Sequence, residues 1–333
     1  MSDGSWKRQI MEAMPAPAWL ALDAPHQDVV LSSRVRVMRN LQGFAFPHML
    51  DREGLIEVNR QVIDGLSSTE MEVIRTLSPG ERHYLVGCRL VSMEFPFDSP
   101  GRSLVLNKDR SAGIMINEED HLRMQVLSAG WSVESALLNA EGILNHMEAS
   151  LEFAWSPRFG YLAASPYNAG KGRRISGMFH LIGLAHLKRL PNVMRALAQR
   201  HIITRGLFGE SSRAIGAFVQ VSITEGKLAD LNGACEYLMT EERAARREVG
   251  REFVTERVAT VVNYLVGRPL LTLADALRSV GWLRWGAVAG VPGANWSARD
   301  VDGWLTHLEV QGDSEDQALC RHRAEFLREK VER

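Results

Sequence analysis

The sequence has few cysteines, no long hydrophobic run and no excess of either charge. Cys88, Cys235 and Cys320 are far apart and form no CxxC pair, which argues against a disulfide framework or a structural zinc site and favours a reducing compartment. No stretch approaches about 18 uncharged apolar residues, and the N-terminus does not resemble a signal peptide, so we expect a cytoplasmic protein without a transmembrane helix. With 39 basic and 40 acidic residues, we expect neither a general nucleic-acid binder nor a membrane-surface binder.

The composition is typical of a globular protein. Of the 333 residues, 45% are hydrophobic and 24% are charged, so the chain can bury a substantial core as one large domain or as a large and a small one. The first 27 residues, which are rich in proline and alanine, predict a loose lead-in. Short β-branched runs and amphipathic segments then predict a mixed α/β region. Helix formers dominate from residue 226 onward, and a domain boundary is expected near residue 255.

Local patterns predict the individual elements. We expect strands at residues 83–91, 103–106, 113–117, 121–127, 201–207 and 214–223. We expect helices at residues 51–78, 132–155 and about 176–190, a further helix opened by Pro191, and one or two helices between residues 226 and 266.

The first candidate functional segment is SSRVR at residues 32–36. Alternate residues of an extended strand point to the same face, so Arg34 and Arg36 are expected to project together. Two guanidinium groups on one face suit a polyphosphate better than a single carboxylate. Taken alone, the segment is equally typical of a solvated basic edge strand.

Three further segments place arginines and acids at loop positions: NEEDHLR at 117–123, SPYNAGKGRRIS at 165–176 and RGLFGES at 205–211. Each by itself is typical of an ordinary turn, and the glycine-bearing loop lacks the GxxxxGK[ST] pattern. Together they predict a site with many arginines and two separated acids. Phosphoryl transfer needs fixed cations around the transferred group, and a guanidinium acceptor needs carboxylates to orient and deprotonate it. The four segments therefore favour a kinase acting on a guanidinium.

These segments occur in the order and spacing of the phosphagen kinases. The chain more closely resembles the McsB-type bacterial protein arginine kinases, through GIMINEEDHLRMQ, GYLAASPYN, RGLFGES and QVS at 220–222. The resemblance implies an α+β fold in which a guanidino-kinase catalytic domain, an antiparallel sheet flanked by helices, is followed by a small all-helical C-terminal domain. The expected division is 1–27 lead-in, 28–255 catalytic domain and 256–333 helical domain.

The resemblance also implies a role for each matching residue. It makes Glu119 and Glu210 the carboxylates that clamp the substrate guanidinium. The arginines expected to bind the ATP phosphates are Arg34, Arg36, Arg123, Arg174 and Arg205. Other residues expected at the nucleotide are Ser32, Ser33, Val35, Ile175, Ser176, Gly177, Met178, Gly206, Leu207, Phe208, Gly209, again Glu210, and Arg89, which stands where the family has an adenine-side histidine. Mg²⁺ is expected to be held by phosphates and water, without a dedicated protein metal site.

The chain departs from the family pattern in the glycine-bearing loop and near the C-terminus. Ser165 replaces the family's reactive cysteine, and Tyr167 and Lys171 replace smaller residues. The C-terminal phosphoarginine-reading motif RDxxRA aligns with LCRHRA at 319–324, which keeps only Arg323 and the final alanine, so a charged terminal helix is the favoured interpretation.

Three functions remain open on these grounds. The expected function is ATP-dependent phosphorylation of protein arginine side chains, with arginine-bearing proteins as substrates and a homodimer or a proteolysis or stress-response complex as possible assemblies. The alternatives are a kinase of a free guanidino metabolite and a catalytically weakened adaptor that binds proteins bearing arginine or phosphoarginine.

Overall fold

The structure, a computed structural model, describes residues 14–67, 69–206, 214–224, 226–308 and 316–332. Within these residues the main sheet has eight strands, all paired antiparallel, in the order β2-β3-β4-β5-β1-β8-β10-β9. The strands are β1 Val30–Arg39, β2 Met71–Ile74, β3 Ser103–Asn107, β4 Ala112–Ile116, β5 Leu122–Ala129, β8 Arg173–His180, β9 Ile203–Gly206 and β10 Phe218–Ile223. A separate hairpin pairs β6 Trp155–Ser156 with β7 Gly160–Tyr161.

The described helices surround this sheet and continue to the C-terminus. They are α1 Arg52–Gly65, α2 Pro79–Gly87, α3 Val133–Glu148, α4 Ile182–His186, α5 Leu190–Ala198, α6 Leu228–Val249, α7 Arg251–Val266, α8 Leu273–Ala289, α9 Ala298–Leu305 and α10 Gln317–Glu332. The fold is therefore the predicted α+β arrangement of an antiparallel sheet, flanking helices and a helical C-terminal region. None of the helices that the structure describes is long and apolar enough to cross a membrane.

The two faces of the sheet are covered differently. One face packs against α1, α3, α5 and α6 in a continuous apolar core that includes Val35, Val126 and Val221. The opposite face carries two separate apolar clusters. One joins the N-terminal segment and α2 to strands β3–β5, and the other joins the C-terminal helices to β1, β8 and β10. The part of the sheet between these two clusters holds the predicted arginines.

Several predicted elements were wrong in type or extent. Residues 176–180, the start of the helix predicted at about 176–190, belong to strand β8, because this segment is hydrogen-bonded between β1 and β10. Residues 83–87, the start of the strand predicted at 83–91, belong to helix α2, because Ser78 and Glu81 form a capping box around a proline at the first helical position. The helix predicted over 132–155 ends at Glu148, and Trp155 begins strand β6. The helix expected over 51–78 ends at Gly65, and residues 71–74 pair with β3 as an edge strand.

The C-terminal helices pack on the sheet through shared apolar contacts. Their cluster includes Leu31 and Met178 from the sheet together with residues of α7 to α10. The long helical stretch divides at Gly250, between α6 and α7, so the expected boundary near 255 falls inside α7; the division into domains stays a proposal. Arg323, the retained arginine of the aligned C-terminal motif, is 1% exposed, and its Nε donates to the Leu308 carbonyl at 2.8 Å. This burial supports a structural role for Arg323.

Candidate active site

The strand register brings the predicted arginines onto one face of the sheet. Arg36 of β1 lies opposite Arg174 of β8, while Arg123 of β5 lies opposite Met38, two residues further along β1. Residues directly opposite each other in an antiparallel pair point to the same face, and so do residues two apart along a strand. Gln220 of β10 lies opposite Met178, which is on the same face of β8 as Arg174, and Arg205 of β9 lies opposite Gln220. Arg205, near the edge of the sheet, is therefore on this face too. Arginines separated by up to about 170 residues in sequence thus share one surface.

A cleft of about 260 Å³ opens over this surface. Five arginines line it, together with other polar side chains: Arg34, Arg36, Arg89, Arg123, Arg205, Gln125, Gln220, Ser92 and Glu94. Apolar side chains line it as well, among them Trp19, Leu31, Val86, Val91 and Leu305. A cleft lined by both cations and apolar side chains suits a ligand that joins a polyanion to a flat apolar ring system.

Several arginines are held in place by polar side chains. Arg34 donates from Nη1 to the Gln125 Oε1 at 3.3 Å and from Nη2 to the Gln220 Oε1 at 2.5 Å. Arg174 donates to the Ser222 Oγ from Nε at 3.2 Å and from Nη2 at 2.9 Å. Such contacts fix the direction of a guanidinium without neutralising its charge. The cleft therefore keeps its positive charge available.

The pKa values show the electrostatic cost of this arrangement. Burial lowers the pKa of Arg34 to about 9, and three neighbouring arginines add to the effect. The pKa of Arg36 is also lowered well below its ordinary value, again first by burial and then by four arginines around it. Guanidinium groups keep their proton in proteins, so we interpret both shifts as the cost of burying these charges, to which repulsion between the arginines adds.

Arg36 shows directly that the cleft fits an anion. Its Nε and Nη2 are buried and have no hydrogen-bond partner among the described residues. An unpartnered buried charge is unfavourable, and the oxygens of a polyphosphate would satisfy both donors. The ligand expected from the sequence, ATP, has the charge that these donors require.

Other residues expected at the nucleotide lie on different sides of the sheet. Ser32, Ser176 and Met178 share the face of the arginines by register. Ser33, Val35, Ile175 and Gly177 point to the helix-covered face. On that face Val35 and Ile175 belong to the core, and the Ser33 Oγ donates to the Gly130 carbonyl at 2.9 Å. Gly206 pairs with Val219, one residue out of phase with Arg205. Leu207, Phe208, Gly209 and Glu210 lie outside the described residues, so their roles stay predictions.

The acidic turn that carries Glu119 lies at the end of β4, beside the arginine face. Its neighbour Glu118 accepts from the Arg123 Nη1 at 2.6 Å and from the Ser92 Oγ at 3.0 Å, so it fixes Arg123. Burial opposes ionisation of Glu118, but the charge and hydrogen bond of Arg123 hold its pKa below the usual range. Glu119 itself is exposed. Of these two acids, Glu119 is the one open to an acceptor.

The environment of Glu119 raises its pKa. Partial burial is the main cause and the nearby charge of Asp120 adds to it, while Arg123 acts in the opposite direction. A carboxylate with a raised pKa is a stronger base, and it is suited to accept a proton from a guanidinium under attack.

Asp120 joins this turn to the loop that carries Ser165. Its buried Oδ1 accepts from the Asn40 Nδ2 and from the Ala164 backbone N–H, both at 2.7 Å. Asn40 also donates to the Leu162 carbonyl at 3.0 Å and accepts from the His121 N–H at 2.9 Å. The acidic turn and the glycine-bearing loop are therefore one connected unit.

We expect Asp120→Ala to lower phosphoryl transfer by about tenfold and to leave ATP affinity within about twofold. The change orphans two donors, at a cost of about 1–3 kcal/mol, and releases the loop from the turn beside Glu119. Steady-state kinetics with varied acceptor and calorimetric ATP titration measure the two effects. Asp98→Ala, a change at an exposed acid, is the control. Equal losses of transfer and ATP affinity would contradict the assignment of Asp120 to the acceptor side.

The cysteines are placed so that none is expected to take part in catalysis. All three are buried, and burial raises the pKa of Cys88 to about 12 and that of Cys235 well above its ordinary value. Such thiols react slowly because thiolate is the reactive form. We expect treatment with iodoacetamide under native conditions to leave activity largely intact. Rapid loss of activity that persists in a Cys88→Ser variant would contradict the placement of Ser165 at the reactive-cysteine position.

Sequence reasoning missed several residues of the cleft. Gln125 and Gln220 bind Arg34 from two strands, and Glu118 was passed over for its neighbour. Alternation along β5 gave a usable signal, because Gln125 lies two residues after Arg123 and therefore on its face. For Trp19 and Leu305 the sequence carried no such signal, since both reach the cleft from outside the sheet.

Comparison with known proteins agrees with this geometry. Residues 53–227 match the family described as ATP:guanido phosphotransferase, C-terminal catalytic domain. The chain is 34% identical over 297 residues to a protein-arginine kinase of Pelotomaculum thermopropionicum, covering 82% of this chain and 83% of that protein. It is 33% identical over 290 residues to a protein-arginine kinase of Shouchella clausii, covering 82% of this chain and 81% of the relative.

Solved structures share the fold. A lombricine kinase aligns with a TM-score of 0.58 and 23% identity, covering 69% of this chain and 71% of the other. A duplicated taurocyamine kinase from Schistosoma mansoni aligns with a TM-score of 0.59 and 22% identity, covering 70% of this chain and 35% of that one. These two structures agree with the fold. The match to the family model and the identity to the two protein-arginine kinases show that the chain belongs to the ATP:guanido phosphotransferase family, among the protein-arginine kinases.

Proposed function

We propose that the protein is an ATP-dependent protein arginine kinase, which transfers the γ-phosphoryl group of ATP to arginine side chains of other proteins. The observation that carries the proposal is the convergence of arginines from four strands on one face, with two buried donors on Arg36 that no described residue satisfies. Glu119 lies at the adjoining turn as a base with a raised pKa. The family membership supports the reaction type, and the names of the relatives support the protein acceptor.

In the proposed step, the bond between the γ-phosphorus and the β,γ-bridging oxygen breaks as a bond to the guanidinium nitrogen forms. The nitrogen loses a proton, which Glu119 accepts, and ADP leaves. Glu210, the second expected carboxylate, is proposed to share the clamp. The arginine face offsets charge on the transferred group, and fixed positions reduce the reorganisation needed in the transition state. Mg²⁺ is proposed to bind the phosphate oxygens and water and to offset charge there.

The assembly and location of the protein belong to the same proposal. We propose a cytoplasmic enzyme that forms a homodimer and acts on arginine-bearing proteins in a proteolysis or stress-response complex. These statements rest on the resemblance of the sequence to the family.

Incubation of the protein with ATP, Mg²⁺ and an arginine-rich protein, followed by intact-protein mass spectrometry at neutral pH, tests the proposal. Neutral conditions are needed because the P–N bond is acid-labile. We expect addition of phosphoryl groups to the acceptor, and a parallel reaction with free arginine should be much slower. Preference for free arginine would favour the metabolite kinase, and no transfer to either acceptor would favour the adaptor.

A further inference from the structure

The helical C-terminal region contributes one of the apolar side chains that line the cleft. Leu305, the last residue of α9, lines the cleft and is 7% exposed. It belongs to the apolar cluster that joins α7, α8 and α10 to the sheet. The C-terminal helices thus reach the cleft through a side chain that is part of their own core.

The same helix carries a buried carboxylate that ties it to the start of the sheet. Asp302, one turn before Leu305, is 3% exposed and is bound by Arg284 through two contacts, from Nε at 2.7 Å and from Nη2 at 3.1 Å. The charge of Asp302 also acts on Arg89, where it opposes the lowering of the pKa to about 10 that burial causes. Arg284 in turn donates to the carbonyls of Gln27 at 2.8 Å and Asp28 at 3.0 Å, just before β1 begins.

Arg89 is held from its other sides as well. Its φ is 63°, in the left-handed region, and its guanidinium lies over the Trp19 ring, 4.3 Å from the centroid. The Trp19 Nε1 donates to the Cys88 carbonyl at 3.1 Å. At Gly87, the residue before Cys88, there is no room for a side chain, because a Cβ there would collide with the main chain of Thr306, just after α9. The end of α2 and the end of α9 therefore form one closely packed wall.

We propose that helix α9 forms the base-binding wall of the nucleotide cleft, with Leu305 as the surface against which the base packs and Asp302, through Arg284, as the residue that holds α9 against the segment before β1. The inference rests on the proposed function for the identity of the nucleotide. If the arginines of the sheet hold the phosphates, the apolar side chains that line the same cleft are left to contact the base. There, a flat ring finds Leu305 and Val86 as apolar surfaces and Arg89 as a stacking cation.

This arrangement links nucleotide binding to the packing of the C-terminal helices. A ligand that contacts α9 only when the helix is docked stabilises the docked state by mass action. A change at the surface of the C-terminal helices that loosens α9 should therefore weaken ATP binding, although no catalytic residue is altered.

The test compares ATP with inorganic tripolyphosphate on the full chain. Leu305→Phe places a larger side chain in the cleft and leaves the arginine face unchanged. We expect ATP affinity to fall by about tenfold, because the added ring fills space that the base needs and overpacking costs about 1–3 kcal/mol, while tripolyphosphate affinity changes by less than about twofold. Leu270→Phe, at a residue of the same helical region that is 40% exposed and does not line the cleft, is the control and should match the parent. An unchanged ATP affinity, or an equal loss for both ligands, overturns the proposal.

Hydrogen exchange on the parent protein tests the same wall without a substitution. We expect ATP to protect residues 298–305 by at least about threefold more than tripolyphosphate does, because only ATP carries a base. Equal protection by the two ligands overturns the proposal. Both measurements read nucleotide binding and not phosphoarginine. If the parent binds ATP in this way but transfers nothing, the proposed function fails and the base wall stands.

Discussion

Glu119→Gln is expected to lower phosphoryl transfer by about a hundredfold or more, within the range of ~10²–10⁴ that general-base catalysis contributes. Glutamine keeps the size of the side chain but loses its charge and most of its basicity. ATP affinity is expected to change by less than about twofold, because Arg123 is paired with Glu118 and the exposed Glu119 is proposed to face the acceptor. Phosphoarginine formation by mass spectrometry and ATP titration by calorimetry measure the two quantities on parent and variant.

The pH dependence of the reaction provides an independent check on this role. The raised pKa of Glu119 means that its basic form is lost at a higher pH than for an ordinary glutamate, whose pKa is 4.5. The transfer rate should fall as the pH drops through that raised value, and the fall should be absent from the residual activity of Glu119→Gln.

Glu53→Gln, at an exposed acid in the first turn of α1, is the matched control and should behave like the parent. Glu210→Gln is expected to act as Glu119→Gln does. Equal transfer by the parent and Glu119→Gln would remove Glu119 from the mechanism. A loss of ATP affinity as large as the loss of transfer would place it at the phosphates.

Arg36→Met is expected to have two opposite effects, a large loss of ATP affinity and a gain in the stability of the nucleotide-free protein. Hydrogen bonds to charged groups contribute about 1.5–3 kcal/mol each, and Arg36 offers two buried donors with no described partner. The loss of both corresponds to at least about a hundredfold in affinity. Methionine has a similar length and keeps the packing of the stem.

The gain in stability follows from the direction of the Arg36 pKa. That pKa is lowered in the folded state by burial and by neighbouring arginines, so the charged form is less favourable there than in the unfolded chain. Removing the charge should raise the free energy of unfolding of the free protein by about 0.5–2 kcal/mol, which is the usual size of the gain when a destabilising functional residue is replaced. The sign is the same throughout the neutral range, because the arginine is protonated in both states.

Thermal unfolding with and without ATP separates the two effects. The variant should unfold at a higher temperature than the parent when no nucleotide is present, and added ATP should shift its Tm little. Arg75→Met, at an exposed arginine just after β2, should leave both quantities unchanged. A variant that is less stable than the parent and that retains full ATP affinity would show that Arg36 has a structural role and that the phosphate site lies elsewhere.

The order of the motifs in the sequence was enough to predict the family, the fold class and the region of the site. Residues two apart in a strand must share a face, so SSRVR alone placed Arg34 and Arg36 together. Charged and acidic segments at loop positions, in a fixed order, then predicted phosphoryl transfer to a guanidinium. These inferences succeed because they depend on local geometry and on the chemistry of side chains.

Element type was predictable only where the local signal was unambiguous. The segment at 173–180 mixes apolar and polar residues without a clear period, and hydrogen bonds to β1 and β10 decided for the strand. Residues 83–91 were predicted as a strand from their apolar residues. The capping box of Ser78 and Glu81 just before them is the stronger local signal, and it indicates the start of helix α2.

Tertiary structure alone decided how the site is completed. Pairing between strands far apart in sequence brings Arg123, Arg174 and Arg205 beside β1, and the register of that pairing sets which face they share. The same holds for Leu305 and Trp19, which reach the cleft from the two regions that the sequence separated from the catalytic domain. No local pattern encodes these contacts, because they form only when distant apolar surfaces are buried against one another.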